Sequence, residues 1–249
     1  MPRFFIDPSD MRDGQVVLRG ENAHHVAYSL RLAPGDRIRV CDGVAVHLCE
    51  LVAFDSETVT ASVLSTSPID SEPPFHAHLY QALPKGDKLD TVIQKAVECG
   101  VSAVTPFESS RCIVRQKPEA EARKTERRAR IAEEAAKQSG RGVIPTVSPT
   151  VSFSAMLDAA AKADLVLFCY EAEGTRPLRD ILEVAERAFP TDRIPQIAIV
   201  IGPEGGFSPE EAAAASERGF AMTGLGPRIL RTETASGFVL ASLVYALEL

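Results

Sequence analysis

The rhythm of hydrophobic and polar positions changes once along the chain, near residue 70. Before it lie short apolar or alternating runs, Val16-Val17-Leu18, Arg37-Ile38-Arg39-Val40, residues 46–54 and residues 59–63. Turn formers separate them, Pro34-Gly35-Asp36 and Asp42-Gly43, so these runs predict strands. One helix is expected among them, over about 22–30. Residues 1–70 thus read as a small β-barrel-like module. Residues 65–74, with three prolines and three serines, read as a linker.

From residue 76 the pattern alternates. Strands are predicted over 78–83, 103–107, 165–170, 197–201 and near Met222, and helices over 88–99, 119–139, 155–163, 178–188, 209–218 and 233–247. Such alternation predicts an α/β domain over residues 75–249, a mostly parallel sheet covered by helices. Leu165-Val166-Leu167-Phe168 and Ile197-Ala198-Ile199-Val200-Ile201 are continuous apolar runs, as expected of strands buried on both faces.

Ligands in open α/β sheets bind in the loops at the carboxyl ends of strands. Gly202-Pro203-Glu204-Gly205-Gly206-Phe207 follows the strongest predicted strand and precedes a helix that Ser208 should cap, with Pro209 first and Glu211 completing a capping box. Three glycines around one acid let backbone approach a flat ligand, where a tight turn needs about one. The loop has neither the Lys-Ser/Thr of a P-loop nor dinucleotide-binding spacing, which argues against nucleoside triphosphate or NAD. A second loop, residues 224–234, sets Arg228 and Arg231 ahead of a helix capped by Thr232. That helix carries Phe238, Val239, Leu240, Leu243, Val244 and Leu247 around most of its circumference and is expected to be buried. An arginine entering it should face a cleft, although a surface salt bridge fits the pattern equally well.

With 45% hydrophobic and 24% charged residues the chain is an ordinary globular protein, and no apolar run reaches bilayer length. Its first residues hold an acid, Asp7, too early for a signal-peptide core, so a cytoplasmic location is expected. Five cysteines without C-x-x-C spacing, and His24 adjacent to His25, lead us to expect neither disulfides nor a metal. The net charge of −7 hides a segregation, because residues 111–141 hold ten Lys or Arg against five Glu. On that predicted helix Arg123, Arg127, Arg130 and Lys137 fall within about 80° of one another, opposite Ile131, Ala132, Ala135 and Ala136. Such a face suits phosphate contact, or is simply solvated.

The motifs Leu83-Pro84-Lys85-Gly86-Asp87-Lys88-Leu89, Ile93-Gln94-Lys95, Gln138-Ser139-Gly140-Arg141, Ile201 to Gly206 and Leu225 to Ala235, in this order, resemble the RsmE family. These are the 16S rRNA (uracil-N3)-methyltransferases of the SPOUT superfamily, and the resemblance spans nearly the whole chain. It implies a PUA-like RNA-binding barrel, then a domain tied in a deep trefoil knot that binds S-adenosyl-L-methionine (AdoMet), assembled as a homodimer on 16S rRNA or the small ribosomal subunit. Knots are nearly absent from proteins, so pattern alone predicts an unknotted sheet. Arg31 matches the family pattern, whereas Tyr28 stands where members tend to carry an arginine.

Under this resemblance the cofactor pocket comprises Gly202, Pro203, Gly205, Gly206, Leu225, Gly226, Ile229, Leu230 and Thr232. RNA contacts are expected from Arg31, Lys85, Arg111, Arg123, Arg127, Arg130, Gln138 and Arg141. Loss of the uridine N3 proton spreads charge onto O2 and O4. Arg231 is the first choice to stabilise it, with Glu204 and Glu233 as candidate bases. A ribose 2′-O methyltransferase of the same superfamily and a non-catalytic ribosome-assembly factor remain the alternatives.

Overall fold

The computed structural model describes residues 1–115 and 118–249. They divide into two units, Met1–Glu72 with Ala136–Ile144, and Pro73–Ala135 with Pro145–Leu249.

The first unit is a six-stranded sheet of β1 (Arg3–Phe5), β2 (Met11–Arg12), β3 (Gln15–Arg19), β4 (Arg37–Cys41), β5 (Ala45–Phe54) and β6 (Thr58–Pro68), in the order β1-β4-β5-β6-β3-β2. Alternate residues point inward, and Phe4, Val16, Leu18, Ile38, Val40 and Leu51 form its core. The expected helix is α1 (Gly20–His24) running into a π-helical turn, His25–Ser29. The expected linker is partly strand, because Ser65–Ser67 pair with Val46–Leu48 and carry β6 on to Pro68. Arg141 departs from its expected role. It is 4% exposed, its guanidinium is held by the Glu72 carboxylate, and the neighbouring Gly142 N–H donates to the same group at 2.9 Å. A buried arginine so engaged is a structural tie and offers no face to RNA.

The second unit is an eight-stranded sheet in which every pairing is parallel. Its strands are β7 (His76–Ala82), β8 (Ala103–Glu108), β9 (Thr146–Val147), β10 (Val151–Ser152), β11 (Leu165–Cys169), β12 (Arg176–Pro177), β13 (Gln196–Ile201) and β14 (Ala221–Gly224). The order is β10-β8-β7-β13-β11-β14-β12, with β9 beside β8. The helices are α2 (Lys88–Glu98), α3 (Pro118–Ser139), α4 (Phe153–Ala160), α5 (Leu178–Glu186), α6 (Pro209–Glu217) and α7 (Thr232–Leu247). Residues Ile197 to Ile201 are all buried, as their unbroken apolar run requires at the centre of a covered sheet. The helix α7 departs from the expectation of full burial. Val239, Leu240 and Leu243 are buried, but Phe238 is 41% and Tyr245 78% exposed.

On β7, Gln81 and His78 point to opposite faces. His78 stacks on Tyr80 with ring centroids 4.1 Å apart, and its Nε2 is hydrogen-bonded to the Thr105 hydroxyl at 2.8 Å. Burial lowers its pKa from 6.5 to about 4. The folded state therefore takes up this proton only near pH 4, whereas the unfolded chain takes it up near 6.5. Stability associated with His78 is full above pH 6.5 and lost as pH falls toward 4, by about 3 kcal/mol in all. Urea unfolding across this window should show that slope in the wild type and a flatter one in His78→Gln; identical slopes would refute the assignment.

Candidate active site

Three loops leave the carboxyl ends of β13, β14 and β11 and enclose an open cavity of about 510 Å³, within the range of small-molecule sites. The first runs from Gly202 to Phe207. Phe207 is 2% exposed and packs on Phe168 at 4.2 Å between centroids, which pins the loop to the sheet. A side chain at Gly202 would meet the Phe207 ring at 3.1 Å, and Gly206 has φ +65°, so these two glycines answer to packing and backbone shape. Beyond the loop, the Ser208 hydroxyl accepts the Glu211 N–H at 3.2 Å, and Glu211 accepts the Ser208 N–H at 3.0 Å. The predicted capping box is present. Glu211 also accepts the Ser110 N–H at 2.7 Å, tying α6 to the segment after β8.

Between β14 and α7 the second loop carries Leu225, Gly226, Ile229 and Leu230 along the cavity, with Ile229 86% exposed. Thr232 does not cap α7 with its side chain, and Arg231 occupies the cap position. The Thr232 hydroxyl instead donates to the Gly202 carbonyl at 2.7 Å and accepts the Gln81 side-chain amide at 2.8 Å. Arg231 lines the cavity exposed, and its guanidinium has no hydrogen-bond or ion-pair partner among the described residues.

The carboxylates are less free. The Lys88 ammonium stands 3.2 Å from both Glu204 and Glu233, and Glu204 also accepts the Lys85 N–H at 3.1 Å. Burial pushes the Glu204 carboxyl up, but backbone N–H donors and Lys88 outweigh it and hold the group below its ordinary 4.5. A lowered pKa makes a poor proton acceptor. Glu204, expected as a base, is a clamp in this geometry, while Glu233 shares the Lys88 ion pair.

Of the expected pocket residues, only Gly205 stays off the cavity wall; its carbonyl accepts the Arg111 guanidinium at 2.9 Å. Arg111 is thus spent on the loop. On α3, Arg127 pairs with Asp90 and Arg130 with Glu126 at 2.9 Å, while Arg123 is exposed. Lys85 is exposed beside the cavity loop; Arg31 and Gln138 are exposed in the first unit. Sequence reasoning missed Gln81, Lys88, Tyr170, Glu171 and Thr175. Glu171 follows β11 and lines the cavity, and the rule of strand carboxyl ends applied to 165–170 would have found it. Among the described residues no cluster of His, Cys, Asp or Glu is placed to hold a metal, and no helix is long and apolar enough to cross a membrane.

Residues 71–244 match a family model described as an RNA methyltransferase domain, and residues 18–64 one described as an RNA methyltransferase PUA domain. The ribosomal RNA small subunit methyltransferase E of Bacillus subtilis is 33% identical over 254 residues, covering all of this chain and 98% of its own. The same-named enzyme of Neisseria gonorrhoeae, solved bound to S-adenosyl methionine, is 31% identical with a TM-score of 0.83, over 98% of this chain and 97% of that one. A Legionella pneumophila methyltransferase, solved in complex with the cofactor SAM, is 32% identical with the same TM-score, over 98% and 97%. A parallel sheet with glycine-built loops around a cavity, in a chain that also matches a PUA domain, defines the class of RNA methyltransferases. The chain belongs to the ribosomal RNA small subunit methyltransferase E family.

Thr232→Val keeps the volume and removes both hydrogen bonds, leaving the Gln81 amide and the Gly202 carbonyl short of partners. Urea denaturation should show a loss of about 1–3 kcal/mol, with Thr232→Ser much closer to wild type; equal stability of the Val variant would refute the tie.

Proposed function

We propose that this protein transfers a methyl group from AdoMet to N3 of one uridine in 16S rRNA. The observation that carries the reading is the unpartnered guanidinium of Arg231 on a cavity whose walls are glycine-rich backbone. The residues suit the cofactor. Gly202, Gly224 and Gly226 bring backbone to the cavity wall, with open space beside Gly226; the exposed Ile229 offers an apolar cover, and Glu171 supplies an acid for a cationic ligand. When bound, AdoMet supplies an electrophilic methyl group.

The protein then has to orient uracil and manage one proton. Arg231 donates to the O2 or O4 oxygen, where negative charge gathers as N3 loses its proton, and so eases deprotonation toward solvent. Lys88 stands 3.2 Å from both Glu204 and Glu233 and helps hold the Glu204 carboxyl below its ordinary range, away from that step. On α3, Arg123, Arg127 and Arg130 contact phosphates without reading sequence, so neutralising all three lowers the log–log salt slope of RNA binding by about 0.7–0.9 per lost contact. With this reading go the SPOUT class and the trefoil knot, supported by a strand order that sets β13 between β7 and β11, and a place of action in the cytoplasm.

Mass spectrometry of rRNA from cells lacking the gene should show loss of 3-methyluridine; an intact mark with a different one missing overturns the assignment. Arg231→Ala should lower kcat and kcat/KM together by on the order of 10²-fold, with AdoMet affinity by calorimetry unchanged. Weakened AdoMet binding with normal turnover at saturation moves Arg231 out of the chemistry.

The protein acts as a homodimer, joined through the outer face of α7. Support comes from Phe238 and Tyr245, exposed on a helix whose other side buries Val239, Leu240 and Leu243. Sedimentation at micromolar concentration should give a dimer, weakened by Phe238→Glu with Tyr245→Glu; a wild-type monomer contradicts this.

A further inference from the structure

The first unit holds a second cavity, of about 390 Å³, between the α1 segment and the turn joining β5 to β6. Ala23, Ala27 and Val59 line it with small apolar surface. His24 and Tyr28 stand at its side with ring centroids 4.8 Å apart and planes inclined by 35°, and Tyr28 is 65% exposed. The opposite face of the same segment is fixed, with Val26 fully buried and His25 edge-on to Phe4 at 5.9 Å. The buried Ala23 and Val26 anchor the segment that carries the two exposed rings.

The cavity edge is acidic. Asp55 and Glu57 come from the β5–β6 turn, and Arg19, which also lines the cavity, has its guanidinium 3.5 Å from Asp10. Carboxylates there repel phosphate and accept hydrogens from amino groups. The space suits a single flat ring. Every residue lining it falls within the span matching the RNA methyltransferase PUA model.

We infer that this cavity stacks one unpaired RNA base against Tyr28 and His24, and that Asp55 and Glu57 select a base bearing an exocyclic amino group over uracil. The inference rests on the methyltransferase reading for the presence of RNA. Aromatic stacking is tolerant of base identity, whereas a pair of carboxylates can accept both hydrogens of the amino group of cytosine, adenine or guanine and finds on uracil only the single ring N3–H. The base held here is accordingly not the uridine that receives the methyl group.

Anisotropy titrations with labelled single-stranded oligo(A), oligo(C) and oligo(U) decamers test this. Oligo(A) and oligo(C) should bind more tightly than oligo(U). Tyr28→Ala should weaken oligo(A) by about 5- to 100-fold, while Tyr28→Phe retains it, and Asp55→Asn with Glu57→Gln should erase the preference over oligo(U). Equal binding of all three decamers, or no effect of Tyr28→Ala on any of them, overturns the inference. So does a change in sedimentation caused by Tyr28→Ala, which would assign the rings to a contact between copies. If the decamer pattern holds but the wild type methylates no rRNA, the methyltransferase reading fails and the base site stands.

Discussion

One hydroxyl group joins three segments that are far apart in the chain. Thr232 Oγ1 donates to Gly202 at the end of β13, accepts from Gln81 on β7, and sits on the first residue of α7. In a buried position an unmade hydrogen bond costs more than a made one contributes, so each partner constrains the others. Glycine-rich loops have no side chains with which to hold their own shape. Here the shape comes from that hydroxyl below, from Phe207 wedged against Phe168, and from Arg111 on the Gly205 carbonyl.

Charge is arranged by the same logic. Lys88 stands 3.2 Å from both Glu204 and Glu233, so one ammonium faces two acids near the cavity. Arg231, by contrast, is left without a counterion among the described residues. On the surface of α3 the basic residues alternate with acids, and Arg127 and Arg130 already have partners. The sum of their charges overstates what they offer to a nucleic acid.

Much of this was legible from residues alone. Continuous apolar runs identified β11 and β13 as buried parallel strands, and Ser208-Pro209 with Glu211 announced the start of α6. Both glycine loops line the cavity. The strands β1, β2, β9, β10 and β12 span two or three residues each, too short for any periodicity to show. Thr232 looked like a cap because its residue type is common there; only tertiary contacts reveal that its hydroxyl turns inward. Arg141 belonged to a recognisable motif, but burial beside Glu72 is a property of the fold. The cofactor and the base came from family resemblance, since backbone-lined pockets leave little chemical signature in sequence.

The pairing of β7 with β13 and the contact of Gln81 with Thr232, 151 residues further on, have a consequence for how the molecule forms. Contacts so distant in sequence are made only after the entropy of closing long loops has been met, and they slow folding. During synthesis β7 leaves the ribosome early and waits for its central neighbour β13, while the six-stranded sheet of the first unit has nearly all of its residues available. The cavity has no floor until α7 emerges. The walls of this cavity thus come together only after β7, β13 and α7, far apart in the chain, have all been made.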